Sequence, residues 1–208
     1  MIDFISSAFL TLFVVIDPIG LIPIFVSLSD GMSGAERRRA AIKATVISII
    51  VLTFFALAGH RFFDAMGISL PAFRIAGGLL LFWIAFEMAF EKRADRKSKA
   101  ASKTVSDEQR DDIAAFPLAV PLMAGPGAIT GVMLLAERGG NDPLMLGALL
   151  GTVYVVLGLT LLALLSASFV DKLLGPSVRN IITRLLGVVL AALAVQFVID
   201  GAKAAFGT

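Results

Sequence analysis

Two short segments of the chain combine residue types that can hold a small charged molecule. In each, a proline follows a turn-forming residue inside an apolar run: Asp17-Pro18-Ile19-Gly20 and Gly125-Pro126-Gly127. Proline has no N–H and clashes with the carbonyl four residues back, so a helix opens where it stands. A new half-helix then starts, with proline at its first position and Asp17 or Gly125 as N-cap. Each break leaves unpaired N–H groups and the positive end of a helix dipole. At the second break only Gly125, Pro126, Gly127 and Ala128 surround that end, so a carboxylate can reach the backbone, and Thr130 one turn on can line the same cavity. At the first break the Asp17 carboxylate, with Pro18 and Gly20 beside it, already occupies the positive end. That acid suits an ammonium group, a proton or a sodium ion, with help from carbonyls freed near Val15 and Ile16. The plainer alternatives are that Asp17 only caps its helix and that Gly125-Pro126-Gly127 is only a kink or a packing contact. An ionisable group in the bilayer interior costs about 2.5–3.5 kcal/mol. Serine or asparagine would cap with less penalty, which favours function for Asp17.

These segments need helices in a membrane to position them. The chain is 58% hydrophobic and 16% charged, against roughly 45–50% and about 25% in soluble domains. Apolar runs cover about residues 4–28, 40–58, 70–90, 113–136, 144–170 and 181–199. Each approaches the roughly 20 residues of a spanning helix, and backbone groups in lipid must be satisfied internally. The expected fold is therefore all-α and integral to the membrane: six transmembrane helices in a single domain over 1–208, with helices 1 and 4 broken. Between helices 3 and 4 lies a charged stretch, about 92–112, too polar to bury. The Met1-Ile2-Asp3 start has no basic residue before the apolar run, so it reads as the first span rather than a signal peptide.

Placement of basic residues gives an orientation. Arg37, Arg38, Arg39 and Lys43, the seven in the charged stretch, and Lys172, Arg179 and Arg184 fall on one side. Arg61, Arg74, Arg138 and Lys203 fall on the other. Cytoplasmic loops are enriched in lysine and arginine, so a multi-pass protein of the bacterial inner membrane with both termini outside (periplasmic) is expected.

The halves also echo each other. The breaks lie 108 residues apart, and Arg74-Ile75-Ala76-Gly77 is matched 110 residues later by Arg184-Leu185-Leu186-Gly187. Three spans per half is an odd number, so repeat 1 (about 1–91) and repeat 2 (about 113–208) lie inverted. Inverted repeats with broken helices at matching positions point to a secondary transporter. A channel for small solutes and a non-transporting accessory or regulatory protein remain as alternatives. An enzyme is not expected: there is no cysteine, one histidine (His60), and no zinc-protease or serine-elbow motif. Neither a cofactor nor a metal site is expected, and the basic loops give no nucleic-acid signal.

Other polar residues carry less. Glu87 reads as a snorkelling surface charge and Gln196 and Asp200 as the close of the last span. Arg74 and Arg184 read as helix-end residues able to pair with headgroups or interhelical carboxylates, and His60 beside Arg61 as interfacial. Gly147-Ala148-Leu149-Leu150-Gly151 is a small-xxx-small pattern, for packing or for a homodimer contact.

Asp17-Pro18-Ile19-Gly20-Leu21-Ile22-Pro23-Ile24-Phe25 and Pro121-Leu122-Met123-Ala124-Gly125-Pro126-Gly127-Ala128-Ile129-Thr130 resemble the two hallmark segments of the MarC family. That family is also grouped as six-span neutral amino acid transporters within the LysE-type exporters. The likeness covers essentially the whole chain. It implies movement of small neutral amino acids such as glycine or alanine, coupled to protons or sodium. A zwitterion needs an anion receptor near a cation receptor. The N–H groups around Gly127 and Ala128, and Asp17, are the matching pair.

Overall fold

The computed structural model describes residues 1–65, 67–90, 113–140 and 142–207; the charged stretch lies outside them, as do the side chains of His60, Arg61, Lys172 and Arg179. All regular structure among the described residues is helical: α1 (Ile2–Ile16), α2 (Pro18–Leu28), α3 (Gly34–Ala65), α4 (Leu70–Ala89), α5 (Ala114–Met123), α6 (Pro126–Gly139), α7 (Pro143–Leu165) and α8 (Ala167–Phe206). Among the described residues, five segments are long and apolar enough to cross a membrane: Ile2–Leu28, Gly34–Gly59, Leu70–Ala89, Pro143–Leu165 and Asn180–Phe206. The remaining apolar run is split between α5 and α6.

Local chemistry sets the boundaries. α3 begins six residues ahead of the expected span because Ser33 and Glu36 form a capping box. The Ser33 N–H donates to Glu36 Oε2 (2.7 Å) and the Glu36 N–H to Ser33 Oγ (3.3 Å). α7 starts on Asp142, whose carboxylate accepts from the Leu144 N–H (2.9 Å), with Pro143 at the first position. α8 outruns its expected span at both ends and carries a kink at Gly175, φ 61°.

α5 departs from expectation in kind. It is wound as a π-helix, with the Leu118 N–H donating to the Ile113 carbonyl and the Ala124 N–H to that of Ala119. Pro117 and Pro121 each withdraw an N–H from an ordinary four-residue ladder, and a wider turn accommodates the gaps. Such windings concentrate at functional sites.

Packing follows small residues. Along the α4–α8 seam, a Cβ on Gly78 would lie 2.8 Å from the Ala194 carbonyl oxygen. One on Gly187 would lie 3.0 Å from that of Ala85, and one on Gly201 3.0 Å from that of Pro71. Backbones therefore touch, as small-residue helix interfaces allow. On α7, by contrast, no described atom lies within 4 Å of such a Cβ at Gly147, Gly151 or Gly158. The small residues of that pattern thus make no comparably close helix contact among the described residues. Large apolar side chains such as Ile50, Trp83, Leu162 and Leu185 face outward. Buried Thr45, Ser48, Thr152 and Thr160 instead return their hydroxyls to the carbonyl four residues back, at 2.8–2.9 Å. Exposed apolar and internally satisfied polar groups are what a lipid environment selects.

Candidate functional site

The first break is a single residue. Asp17 ends α1 and starts α2, at φ 57°, ψ 67°, and is the one non-glycine residue with positive φ among those described. Its N–H donates to the Phe13 carbonyl (2.9 Å), its carbonyl accepts from Leu21 N–H (3.1 Å), and Oδ1 accepts from the Gly20 N–H (3.0 Å). A left-handed L-residue costs roughly 1–2 kcal/mol, least for aspartate and asparagine. The carboxylate is also nearly sealed, at 4% exposure. It folds over the Gly20 Cα so closely that any side chain at 20 would collide with it. The capping role is thus real, and glycine at 20 is what makes room for it. Pro18 is buried and Gly20 half-buried.

The second break falls at Ala124-Gly125, where expected. Gly125 is extended (φ −79°, ψ 175°) and caps α6 with Pro126 at its first position. Gly125, Gly127 and Ala128 are buried while Pro126 is exposed. The gap left by Gly127 is not open to a ligand on its Cα side, contrary to the sequence reading. A Cβ there would run into Ile84 Cδ1 of α4 and lie 3.2 Å from Val15 Cγ1. Thr130 is buried, and its methyl packs against Gly77 of α4.

α1 and α6 bring the breaks together. They pack antiparallel: Gly139 lies beside Phe4, Gly131 beside Thr11 and Leu12, and Gly127 beside Val15. The same register, carried two residues further, sets Asp17 level with Gly125. Two half-helix N-termini, those of α2 and α6, therefore begin at one depth. Ile84 closes the place from α4. Three residues along α4 stands Glu87, 7% exposed, whose Oε1 accepts from Trp83 Nε1–H (3.2 Å). It is a buried carboxylate, not the surface charge its position in the span suggested.

Two further residues escaped the sequence reading. Thr11 is fully buried on the α1–α6 seam, and its hydroxyl has no hydrogen-bond partner among the described residues. Glu137, near the end of α6, forms a two-pronged ion pair with Arg74 of α4. The interhelical pairing foreseen for Arg74 is thus made. Gln196 and Asp200 bond to each other along α8 (2.7 Å), on an exposed face. Among the described residues no three acidic or histidine side chains gather to hold a metal ion. A cavity of about 630 Å³ lies between α1 and α7, lined by Phe9, Gly151 and Val155 among others, away from both breaks.

The broken helices and the apolar exterior agree with the sequence comparisons. The family model described as "MarC family integral membrane protein" matches residues 2–206. The chain belongs to the MarC family. Relatives include the UPF0056 membrane protein YvbG of Bacillus subtilis, 35% identical over 206 residues, which are 99% of this chain and 97% of that protein. A UPF0056 membrane protein of Aquifex aeolicus is 40% identical over 198 residues (95% and 91%). One of Archaeoglobus fulgidus is 35% identical over 200 residues (96% and 92%). No solved structure matches. This MarC protein is therefore an integral, multi-pass membrane protein. The names of the family and these relatives state no enzymatic activity.

Proposed function

We propose that this MarC protein is a secondary transporter of small neutral amino acids of the glycine or alanine type. On this reading it lies in the inner membrane with both termini outside, coupled to protons or sodium. The observation that carries it is the register of α1 on α6, which sets the Asp17 break against the Gly125 break. A substrate carboxylate takes the N–H groups at the start of α6, around Gly127 and Ala128. Its ammonium, or the coupling cation, takes Asp17 and the carbonyls at the end of α1. Ile84 limits the room beside Gly127 to a small side chain.

Six spans in two inverted repeats fit this reading, the fourth being α5 with α6. Support comes from packing partners that exchange between halves: α2 lies on α7 and α8, and α6 on α3 and α4. α1 lies on α7 as α5 lies on α3, while α3–α7 and α4–α8 pair across the centre. Several details depart from symmetry: the α1–α6, α1–α8 and α6–α7 contacts have no counterpart of similar extent among the described residues, and Gly77 faces α6 whereas Gly187 faces α4. On this reading, rocking one repeat against the other has the α1–α6 seam toward the outer side. That seam is in contact from Val15–Gly127 to Phe4–Gly139, and the Arg74–Glu137 pair ties α4 to α6 near its Phe4–Gly139 end. Opening outward separates these contacts, and the unpaired Thr11 hydroxyl then lines the path.

The test is uptake of radiolabelled alanine and glycine into proteoliposomes under imposed proton or sodium gradients, comparing wild type with Asp17→Asn. Saturable, gradient-driven uptake that the substitution abolishes is expected. Non-saturable flux without accumulation indicates a channel, and no flux above empty liposomes indicates an accessory protein. Either result overturns the proposal.

A further inference from the structure

A second polar site lies far from the breaks. Where α2 ends, α3 begins and α7 gives way to α8, a cavity of about 200 Å³ is lined by Ser29, Gly34, Arg37, Arg38, Leu164 and Leu165, among others. Its two halves differ in chemistry. Two guanidinium groups come from the first turns of α3, and leucines from the end of α7 form the other wall. Arg37 is held in place, its Nε–H donating to the Ser29 carbonyl (3.1 Å). Arg38 is exposed and has no ion pair or hydrogen bond among the described residues. No described atom lies within 4 Å of where a Gly34 side chain would start. The nearby acids are engaged locally: Asp30 accepts from the Gly31 N–H (3.1 Å), and Glu36 from Ser33. Neither lines the cavity.

We propose that this cavity binds the phosphodiester of an anionic phospholipid. Guanidinium groups match phosphate oxygens in geometry and charge, and basic pockets between spanning helices are where acidic headgroups seat. The volume falls below the roughly 300–1,000 Å³ of sites that enclose drug-sized ligands. It holds a headgroup phosphate but not a nucleotide. The apolar wall decides between a lipid and a free anion. Leu165 is half-exposed, and Phe169, on the next turn, projects outward at 71% exposure. Acyl chains leaving the phosphate have a surface to follow, which a free phosphate does not use. Because α2, α3, α7 and α8 meet here, an occupied cavity ties the α2 end of repeat 1 to the α7–α8 joint of repeat 2.

The test uses the full chain in detergent, with bound lipid counted by native mass spectrometry and stability followed by thermal unfolding. Phosphatidylglycerol is expected to be retained and to raise Tm, while phosphatidylcholine is not. Retention of phosphatidylglycerol should fall about fivefold with Arg38→Gln, from roughly 1 kcal/mol per basic residue near an acidic membrane, and further with Arg37→Gln/Arg38→Gln. Arg39→Gln, which changes a neighbouring arginine outside the lining, serves as the control and should retain lipid. Arg38→Lys keeps the charge and should retain most of it. Equal loss with Arg39→Gln would show only a diffuse basic surface and overturn the proposal. So would retention unchanged by Arg38→Gln, or stabilisation by inorganic phosphate equal to that by phosphatidylglycerol, which would make the site one for soluble anions.

Discussion

Ile84 packs over Gly127 at the proposed site, and a double-mutant cycle measures that contact. In Gly127→Ala the new Cβ collides with Ile84 Cδ1 and stands 3.2 Å from Val15 Cγ1, while the next atom, Ile84 Cγ1, is 3.8 Å away. Overpacking of this kind costs about 1–3 kcal/mol. Alanine's better helix propensity returns up to about 1 kcal/mol, so the single variant loses a net of about 0–3 kcal/mol. Ile84→Val deletes Cδ1 and nothing else, at a cost of about 0.5–1.5 kcal/mol for the methylene removed. In that background the collision is gone and Val15 has only tenths of an ångström to yield. The double variant should therefore be about as stable as Gly127→Ala alone or more so, with a favourable coupling of about 1–3 kcal/mol, the overpacking cost returned. Helix propensity cancels from the cycle because it enters both Gly127→Ala steps. Thermal unfolding in detergent reads the stabilities, and alanine uptake reads the site. Uptake should be lost in Gly127→Ala and partly restored in the double variant. Additive destabilisation, with no coupling, would falsify the contact and with it the claim that α4 closes the break.

Three further outcomes follow from the same geometry. Thr11→Val replaces a buried, unpartnered hydroxyl by a methyl of the same shape. Since an unmade hydrogen bond costs about 1–3 kcal/mol, Tm should rise by a few degrees while uptake falls; a lower Tm would show that the hydroxyl is paired. Arg74→Gln should destabilise by about 1–3 kcal/mol through the charge left at Glu137. Arg74→Gln/Glu137→Gln should recover part of that loss; a double variant no more stable than the single would mean the pair is not coupled. Gly78→Ala, whose Cβ meets backbone, should lower Tm by several degrees. Gly151→Ala, with no described atom near its Cβ, should keep or slightly raise Tm through helix propensity, and equal effects of the two substitutions in unfolding experiments would refute the α4–α8 seam.

Much of this architecture is legible in the residues because proline and glycine act locally. Pro18 and Pro126 each follow a turn-forming residue and fit the first position of a helix, so the breaks at Asp17 and Gly125 could be placed to the residue, whereas Pro23 stands inside α2 without ending it. The capping of Gly20 by Asp17 follows in the same way. What the sequence conceals is what comes from the other helices. Gly127 looks like an open approach to the backbone until α4 brings Ile84 over it. Glu87 lies near the end of an apolar run, where a carboxylate normally snorkels, and only the packing of its neighbours buries it. Thr11 is indistinguishable in sequence from Thr45 or Thr152, which close on their own helices. The π-winding of α5 had a visible cause in Pro117 and Pro121, although two prolines four apart suggest a break as readily as a wider turn. Gly147-Ala148-Leu149-Leu150-Gly151 carries a small-residue signature whose two glycines meet no described side chain or backbone closely.

Asp17 is where these threads meet. Three features make it costly: left-handed backbone, burial at 4% exposure, and a charge in an apolar span. Two of them an asparagine would manage better. Asparagine enters the left-handed region as easily as aspartate and caps a helix about equally well. It would carry no charge into the bilayer, where an ionised group costs about 2.5–3.5 kcal/mol. Structure alone therefore argues for asparagine at this position, and the carboxylate that stands there instead answers to something the fold does not need. Asp17→Asn keeps cap and backbone and removes only the charge, so loss of uptake in a variant with unchanged or raised Tm isolates the charge as the working element. A variant that unfolds more readily than wild type would instead assign the carboxylate to the fold.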